Sequence, residues 1–177
     1  RHWALSWLIL LLPEWPNFHI VRDRHLREFV LPDATSGRGC VDSTRPDLIG
    51  RDDQGLNVVL IEAKFSAGLT DNQPNTYIAM LADDVPSTLC FLIPQERMTS
   101  LWPEVCSRAS DTGFSVSTEH DGEYKSARLA GNKHLLMTTW TTVLTAIETA
   151  ATASGETLTL SDVSQLRGLC KEQEAEG

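Results

Sequence analysis

Hydrophobic and polar residues follow patterns along this chain that predict both strands and helices. Apolar runs and period-two alternation predict strands over 47–51, 57–65, 87–94 and 133–140. Helical spacing and the positions of proline predict helices over 3–12, 21–29, 69–86, 98–110, 141–153 and 161–174. The turn residues "DDQG" at 52–55 join the first two strands into a hairpin. This order predicts an α/β fold in which helices flank a small mixed β-sheet.

These elements are expected to form one domain. A chain of 177 residues, 41% hydrophobic and 22% charged, can bury a single core without disulfides or metals. We expect the domain to cover 1–177, with its core at about 20–145 and a last helix at 161–174. The chain begins with Arg1 rather than methionine, which leaves open that it is part of a longer protein.

The apolar run 3–12 is too short to span a bilayer and is followed by "PEWP". We interpret it as a buried first helix, with the core of a secretory signal as the alternative. The four cysteines lie far apart, with no CxxC pair and no clustered histidines. This spacing predicts reduced thiols in a cytoplasmic protein rather than a zinc site or a disulfide framework.

A net charge of −9 argues against a protein that binds nucleic acid electrostatically over its whole surface. A local basic groove remains compatible with that charge. Lys125, Arg128 and Lys133 would line one edge of such a groove or belong to a solvated loop, and the sequence leaves both open.

The first hairpin carries charged residues at the end of an apolar strand. Side chains alternate along a strand, so Glu62 and Lys64 share one face. A two- or four-residue turn would set Asp47 opposite Leu60 and make Glu62 its diagonal neighbour, about 7–8 Å away at the backbone. A three-residue turn would break this arrangement. With either of the first two turns, Asp47, Glu62 and Lys64 converge at one end of the hairpin.

Buried charges need a partner, hydrogen bonds or a metal. Two converging carboxylates suit Mg²⁺, which binds through one or two carboxylates, waters and substrate phosphates. Such a metal polarises a phosphoryl oxygen and activates water, and a nearby lysine offsets developing negative charge. The alternative is structural: Glu62 and Lys64 form a strand-end ion pair, and Asp47 caps a loop.

The residues Pro46-Asp47, followed by Glu62-Ala63-Lys64, resemble the signature of the PD-(D/E)xK nuclease superfamily. The resemblance implies a restriction-endonuclease-like fold with the first acid and the (D/E)xK on the two strands of one hairpin. It further implies that Asp47 and Glu62 bind the metal, that the carbonyl of Ala63 faces it, and that Lys64 positions the attacking water.

The helix after the hairpin adds a second match. Gln73 and Tyr77 have the Q-x-x-x-Y spacing seen in RecB-type nucleases, and residues four apart share a helix face. The resemblance implies a catalytic supporting role for Gln73 and a substrate contact for Tyr77. Alternatively, 70–73 is a capping box in which Gln73 closes the start of the helix, and Tyr77 belongs to the core.

The family core often adds an acid from its first helix as a further metal ligand. Glu28 is our candidate, with Glu14 and Asp23 as competitors. The resemblance therefore implies a Mg²⁺-dependent endonuclease that acts on DNA in restriction, repair or phage defence, with Mn²⁺ as a substitute. The acidic balance suggests that DNA binding needs a homodimer or a partner domain. The alternative is a catalytically inactive binding or assembly module of a larger protein.

Overall fold

The computed structural model describes residues 28–30 and 45–176 of the protein. The helix predicted over 3–12, the competing acids Glu14 and Asp23, and most of the helix predicted over 21–29 lie outside these ranges. Within them, seven strands and four α-helices form an α/β structure, which confirms the predicted class.

The seven strands form one mixed sheet in the order β1-β2-β3-β4-β7-β6-β5. The three central strands, β3, β4 and β7, are parallel, and the flanking pairs are antiparallel. The strands are β1 (Glu28–Val30), β2 (Leu48–Arg51), β3 (Asn57–Ala63), β4 (Ser87–Ile93), β5 (Ser117–Asp121), β6 (Lys125–Arg128) and β7 (Lys133–Thr139).

The helices are α1 (Asn75–Met80), α2 (Met98–Asp111), α3 (Trp140–Ser154) and α4 (Thr157–Glu176). The helix predicted over 69–86 is reduced to α1, because 71–74 form turns and the chain leaves the helix after Met80. The last helix is longer than predicted, since Gly155 ends α3 in a left-handed conformation (φ 74°) and α4 begins directly afterwards. No helix within 28–30 and 45–176 combines the length and apolar character needed to cross a bilayer.

Helices cover both faces of the sheet. Side chains of α1 and α2 pack on one face, around Leu60 and Phe91. Side chains of α3 and α4 pack on the other face, around Ile61 and Leu136. Because successive residues of β3 point to opposite faces, Glu62 lies on the same face as Leu60, beneath α1. The sheet and α1 together determine the position of the charged end of β3.

Two predictions about the sheet were wrong. Residues 28 and 29 belong to strand β1 rather than to a helix, because Glu28 pairs with Arg51 on β2. The segment 117–128, for which no strand was predicted, forms the hairpin β5-β6. Every residue of β5 is polar and only His120 is partly buried, so its strand conformation depends on pairing with β6.

The basic residues of this region are engaged in ion pairs. Lys125 pairs with Asp121, and Arg128 Nε lies 2.9 Å from the Oε1 atom of Glu119. Lys133 is buried and lies with its Nζ atom 2.7 Å from Asp83. Lys125 and Arg128 are strand residues, which corrects their interpretation as part of a solvated loop. Their positive charges are largely offset within the protein.

Candidate active site

The β2-β3 hairpin has a different register from the predicted one. Leu48 pairs with Ile61, so the chain continues with Asp47 beside Glu62 rather than opposite Leu60. The shift amounts to two residues. Because side chains alternate with period two, such a shift leaves every side chain on its predicted face. The observed register therefore still places Asp47 and Glu62 at the same end of the hairpin.

The loop of the hairpin explains the shift. It covers residues 52–56, and the Oδ1 atom of Asp52 accepts hydrogen bonds from the backbone N–H groups of Gln54 and Leu56, both at 2.9 Å. The pairing also slips between Gly50 and Arg51. A five-residue loop and a slip replace the simple turn on which the predicted register depended.

Asp47 is held against the end of β3. Its Oδ2 atom accepts a hydrogen bond from the backbone N–H of Ala63 at 2.7 Å. The N–H of the next residue, Lys64, donates in the opposite direction, to the carbonyl of Leu92 on β4 at 2.9 Å. Since the N–H and C=O of one strand residue point to the same side, the Ala63 carbonyl also faces Asp47. Asp47 itself is exposed, so an ion could reach it from solvent.

Glu62 and Lys64 form a buried ion pair. Each residue is 7% exposed, and Lys64 Nζ lies 3.1 Å from the Oε1 atom of Glu62. The same oxygen accepts a hydrogen bond from Gln73 Nε2 at 2.8 Å. The other oxygen, Oε2, is buried and has no hydrogen-bond partner within the described part of the chain. Buried acceptors of this kind are normally satisfied by a donor, a water or an ion.

Gln73 uses its whole side-chain amide. The Oε1 atom accepts from the backbone N–H of Thr70 at 3.2 Å, while Nε2 donates to Glu62 and, at 3.0 Å, to the hydroxyl of Tyr77. The contact with Thr70 is only one of the two contacts of a capping box, because Thr70 Oγ1 has no partner within the described residues, and Gln73 does not close the helix start, since α1 begins at Asn75 with Pro74 as its N-cap. Because Thr70 occupies the oxygen, the donor end of the amide must face Glu62.

Tyr77 lies beneath the site with its hydroxyl fully engaged. This hydroxyl accepts from Gln73 and donates to the backbone carbonyl of Arg45 at 2.7 Å. Burial raises the pKa of Tyr77, and the nearby carboxylates of Glu62 and Asp47 raise it further. The structure brings Tyr77 to the predicted site, where it links the segment that precedes β2 to α1.

The backbone position of Glu28 lies away from this group. It pairs with Arg51 at the loop end of the hairpin, whereas Asp47 precedes the first residue of β2. Four residues of strand correspond to about 13 Å along the backbone. Glu28 was expected on a helix, and this is wrong because it lies on strand β1. The strand register separates its backbone from that of Asp47.

Two arginines anchor the segment after β3, and sequence reasoning did not find them. Arg97 donates from Nη1 to the carbonyls of Phe65 and Ala67, and Arg108 donates to carbonyls farther along the same segment. These contacts join residues 30 to 38 positions apart. No local pattern of the sequence signals contacts over such separations.

The site lies at the carboxyl end of β3, and the carboxyl ends of the parallel strands are where ligands bind in open α/β sheets. Across residues 28–30 and 45–176, no three His, Cys, Asp or Glu side chains are grouped so that they could hold a metal ion. Two carboxylates and the carbonyl of Ala63 are the ligands available. This set suits Mg²⁺, which keeps several waters, better than an ion that requires a protein cage.

Cysteine chemistry finds no support at this site. Cys90 and Cys106 are free thiols. Burial raises the pKa of Cys90 to about 12 and that of Cys106 to about 11, so both stay protonated at neutral pH. A thiol rather than a thiolate is a poor nucleophile.

Comparisons with known proteins found no match to a family model, to a curated protein or to a solved structure. The likeness to the PD-(D/E)xK superfamily therefore rests on the motif residues themselves. Hydrogen bonds and an ion pair link Glu62, Lys64, Gln73 and Tyr77 to one another, and Asp47 is hydrogen-bonded to the backbone of Ala63 between Glu62 and Lys64.

Proposed function

We propose that this protein is a metal-dependent nuclease with a restriction-endonuclease-like fold, which hydrolyses phosphodiester bonds in DNA. The observation that carries the proposal is the state of Glu62. A carboxylate that is 7% exposed, paired with Lys64 through one oxygen and without a partner for its second oxygen among the described residues, is suited to bind a cation. Asp47, which directly precedes β2, lies against the same end of β3 and accepts a hydrogen bond from the backbone N–H of Ala63.

The residues have separate roles in this proposal. Asp47, Glu62 and the carbonyl of Ala63 would hold Mg²⁺, with Mn²⁺ as a substitute. When bound, such an ion polarises a phosphoryl oxygen and makes a bound water more acidic. Lys64 would hold the attacking water and offset the charge that develops on the phosphate. Gln73 keeps Glu62 in place through its 2.8 Å hydrogen bond.

A second candidate is a binding or assembly module of a larger protein that has no catalytic activity. The absence of a third acidic side chain near Asp47 and Glu62 in the described ranges favours this candidate. So do the net charge of −9 and the ion pairs that offset Lys125 and Arg128. In such a module the Glu62–Lys64 pair would serve packing alone.

A cleavage assay tests the nuclease. The wild type, Lys64→Ala and Asp47→Asn would be incubated with supercoiled, linear and single-stranded DNA in Mg²⁺, Mn²⁺ or EDTA. The matched control is Asp53→Asn, which makes the same change at an exposed residue of the hairpin loop. We expect metal-dependent cleavage by the wild type and the control, and its loss in the other two variants.

Metal binding separates the two candidates. At a metal concentration 100 times its Kd, a bound ion stabilises the folded state by about 2.7 kcal/mol. For a domain of this size that raises the Tm by roughly 5–10 °C. A rise in the wild type and in Asp53→Asn that is absent in Asp47→Asn supports a metal site at Asp47. If the wild type shows neither cleavage nor a rise in Tm, the nuclease is ruled out and the module remains.

A further inference from the structure

Arg108 binds the backbone of the turn that presents Gln73 to the site. Its Nη1 atom donates to the carbonyl of Thr70 at 2.6 Å and to the carbonyl of Gln73 at 3.3 Å. Its Nη2 atom lies 2.7 Å from Glu104, one turn earlier on α2. The guanidinium is thus oriented by its own helix before it reaches the turn.

The same turn fixes the side chain of Gln73. The backbone N–H of Gln73 donates to the carbonyl of Thr70 at 3.0 Å, and the backbone N–H of Thr70 donates to the side-chain oxygen of Gln73. The two carbonyls that Arg108 binds therefore belong to Thr70 and Gln73, the residues that fix the orientation of the Gln73 side-chain amide. Gln73 is 1% exposed, and its amide donates directly to Glu62. Arg108 is connected to the acid through one turn and one side chain.

From this chain of contacts we propose that Arg108 is a positioning residue of the site, which holds Gln73, and through it Glu62, in place. The expected effect of Arg108 on the cleavage rate rests on the proposed nuclease function. The expected effect on the position of Gln73 rests on the contacts alone. A guanidinium presents several N–H groups in a rigid fork, so it can bind two carbonyls and Glu104 at once. A lysine at this position could not reproduce that geometry.

The test compares Arg108→Lys with Arg167→Lys. Arg167 is a matched control because its guanidinium also binds a glutamate, Glu148 at 2.8 Å, but lies on α4, which packs on the other face of the sheet. The first measurement is the single-turnover rate of DNA cleavage at saturating metal. We expect a loss of about 10- to 100-fold in Arg108→Lys, because a misplacement of about 1 Å can cost that much. The control should keep the wild-type rate.

The second measurement does not depend on activity. Hydrogen exchange of the Gln73 side-chain NH₂, assigned by NMR with Gln73→Met, reports whether the amide is held. We expect protected signals in the wild type and in Arg167→Lys, and faster exchange in Arg108→Lys at an equal Tm. Fast exchange in Arg108→Lys alone supports the inference even if the wild type cleaves no DNA, an outcome that would count against the nuclease only. Unchanged protection of Gln73 in Arg108→Lys overturns the inference, whatever happens to the rate.

Discussion

The buried pair of Glu62 and Lys64 allows a quantitative prediction for Lys64→Met. Methionine keeps most of the length of the side chain and removes the ammonium group, which lies 3.1 Å from Glu62. Both side chains are less than 10% exposed, so water cannot replace the lost partner. Removing one member of a buried pair costs about 3–5 kcal/mol. We expect about 3 kcal/mol, at the lower end of that range, because Gln73 still donates to the carboxylate.

Urea unfolding followed by tryptophan fluorescence measures this change. The double variant Glu62→Gln/Lys64→Met contains no uncompensated charge, so it should be more stable than Lys64→Met alone. The coupling between the two positions should reach about 1–3 kcal/mol in a double-mutant cycle. Lys171→Met is the control, since Lys171 is exposed on α4 and its loss should change stability by less than about 0.5 kcal/mol.

Two results would refute the reasoning. A cost below about 1 kcal/mol for Lys64→Met would equal that of an exposed ion pair and would mean that water reaches Glu62. A double variant as unstable as the sum of the two single variants would mean that the two charges do not interact. Either result would also remove the argument that Glu62 is a desolvated carboxylate suited to bind a cation.

Two further perturbations test the surroundings of the site and of β7. Tyr77→Phe removes the donor to the Arg45 carbonyl and should lower stability by about 0.5–1.5 kcal/mol in urea unfolding; an unchanged midpoint would contradict a contribution of this hydrogen bond to stability. Burial lowers the pKa of His134, although Glu119 opposes the shift. The stability that neutral His134 contributes is therefore complete above about pH 6.5 and is lost as the pH falls through the lowered pKa. The urea midpoint of the wild type should therefore drop more between pH 7 and pH 5 than that of His134→Gln, and equal drops would count against this explanation.

The parts of the fold that the sequence predicts are those with the strongest apolar signal. Strands β4 and β7 end within one residue of the predicted ends, because both are buried along their whole length and are uninterrupted in the sequence. Strand β5 shows no such signal, since none of its residues is apolar and its conformation depends on its neighbour. Residues 28 and 29 were assigned to the wrong element for a related reason: a three-residue strand is shorter than any periodic pattern.

Most members of the candidate site were predictable from the sequence, with Glu28 as the exception, but its geometry was not. Alternation placed Glu62 and Lys64 on one face, and that relation holds in any register shifted by an even number of residues. The true register depends on the hydrogen bonds of Asp52 and on a slip at Gly50, neither of which a turn motif specifies. Arg108 could not be predicted, because its partners lie 35 and 38 residues away and are backbone carbonyls, which any residue supplies.

The composition of β5 has a consequence for how copies of this protein could associate. Within the described ranges β5 is the last strand of the sheet, with β6 on one side only. Its exposed residues include Glu119 and Asp121, and its pairing with β6 is irregular between Thr118 and His120. Charged side chains and irregular pairing at an outer strand discourage the addition of another chain's strand and thereby limit aggregation. Any pairing of two copies would be expected to use another surface.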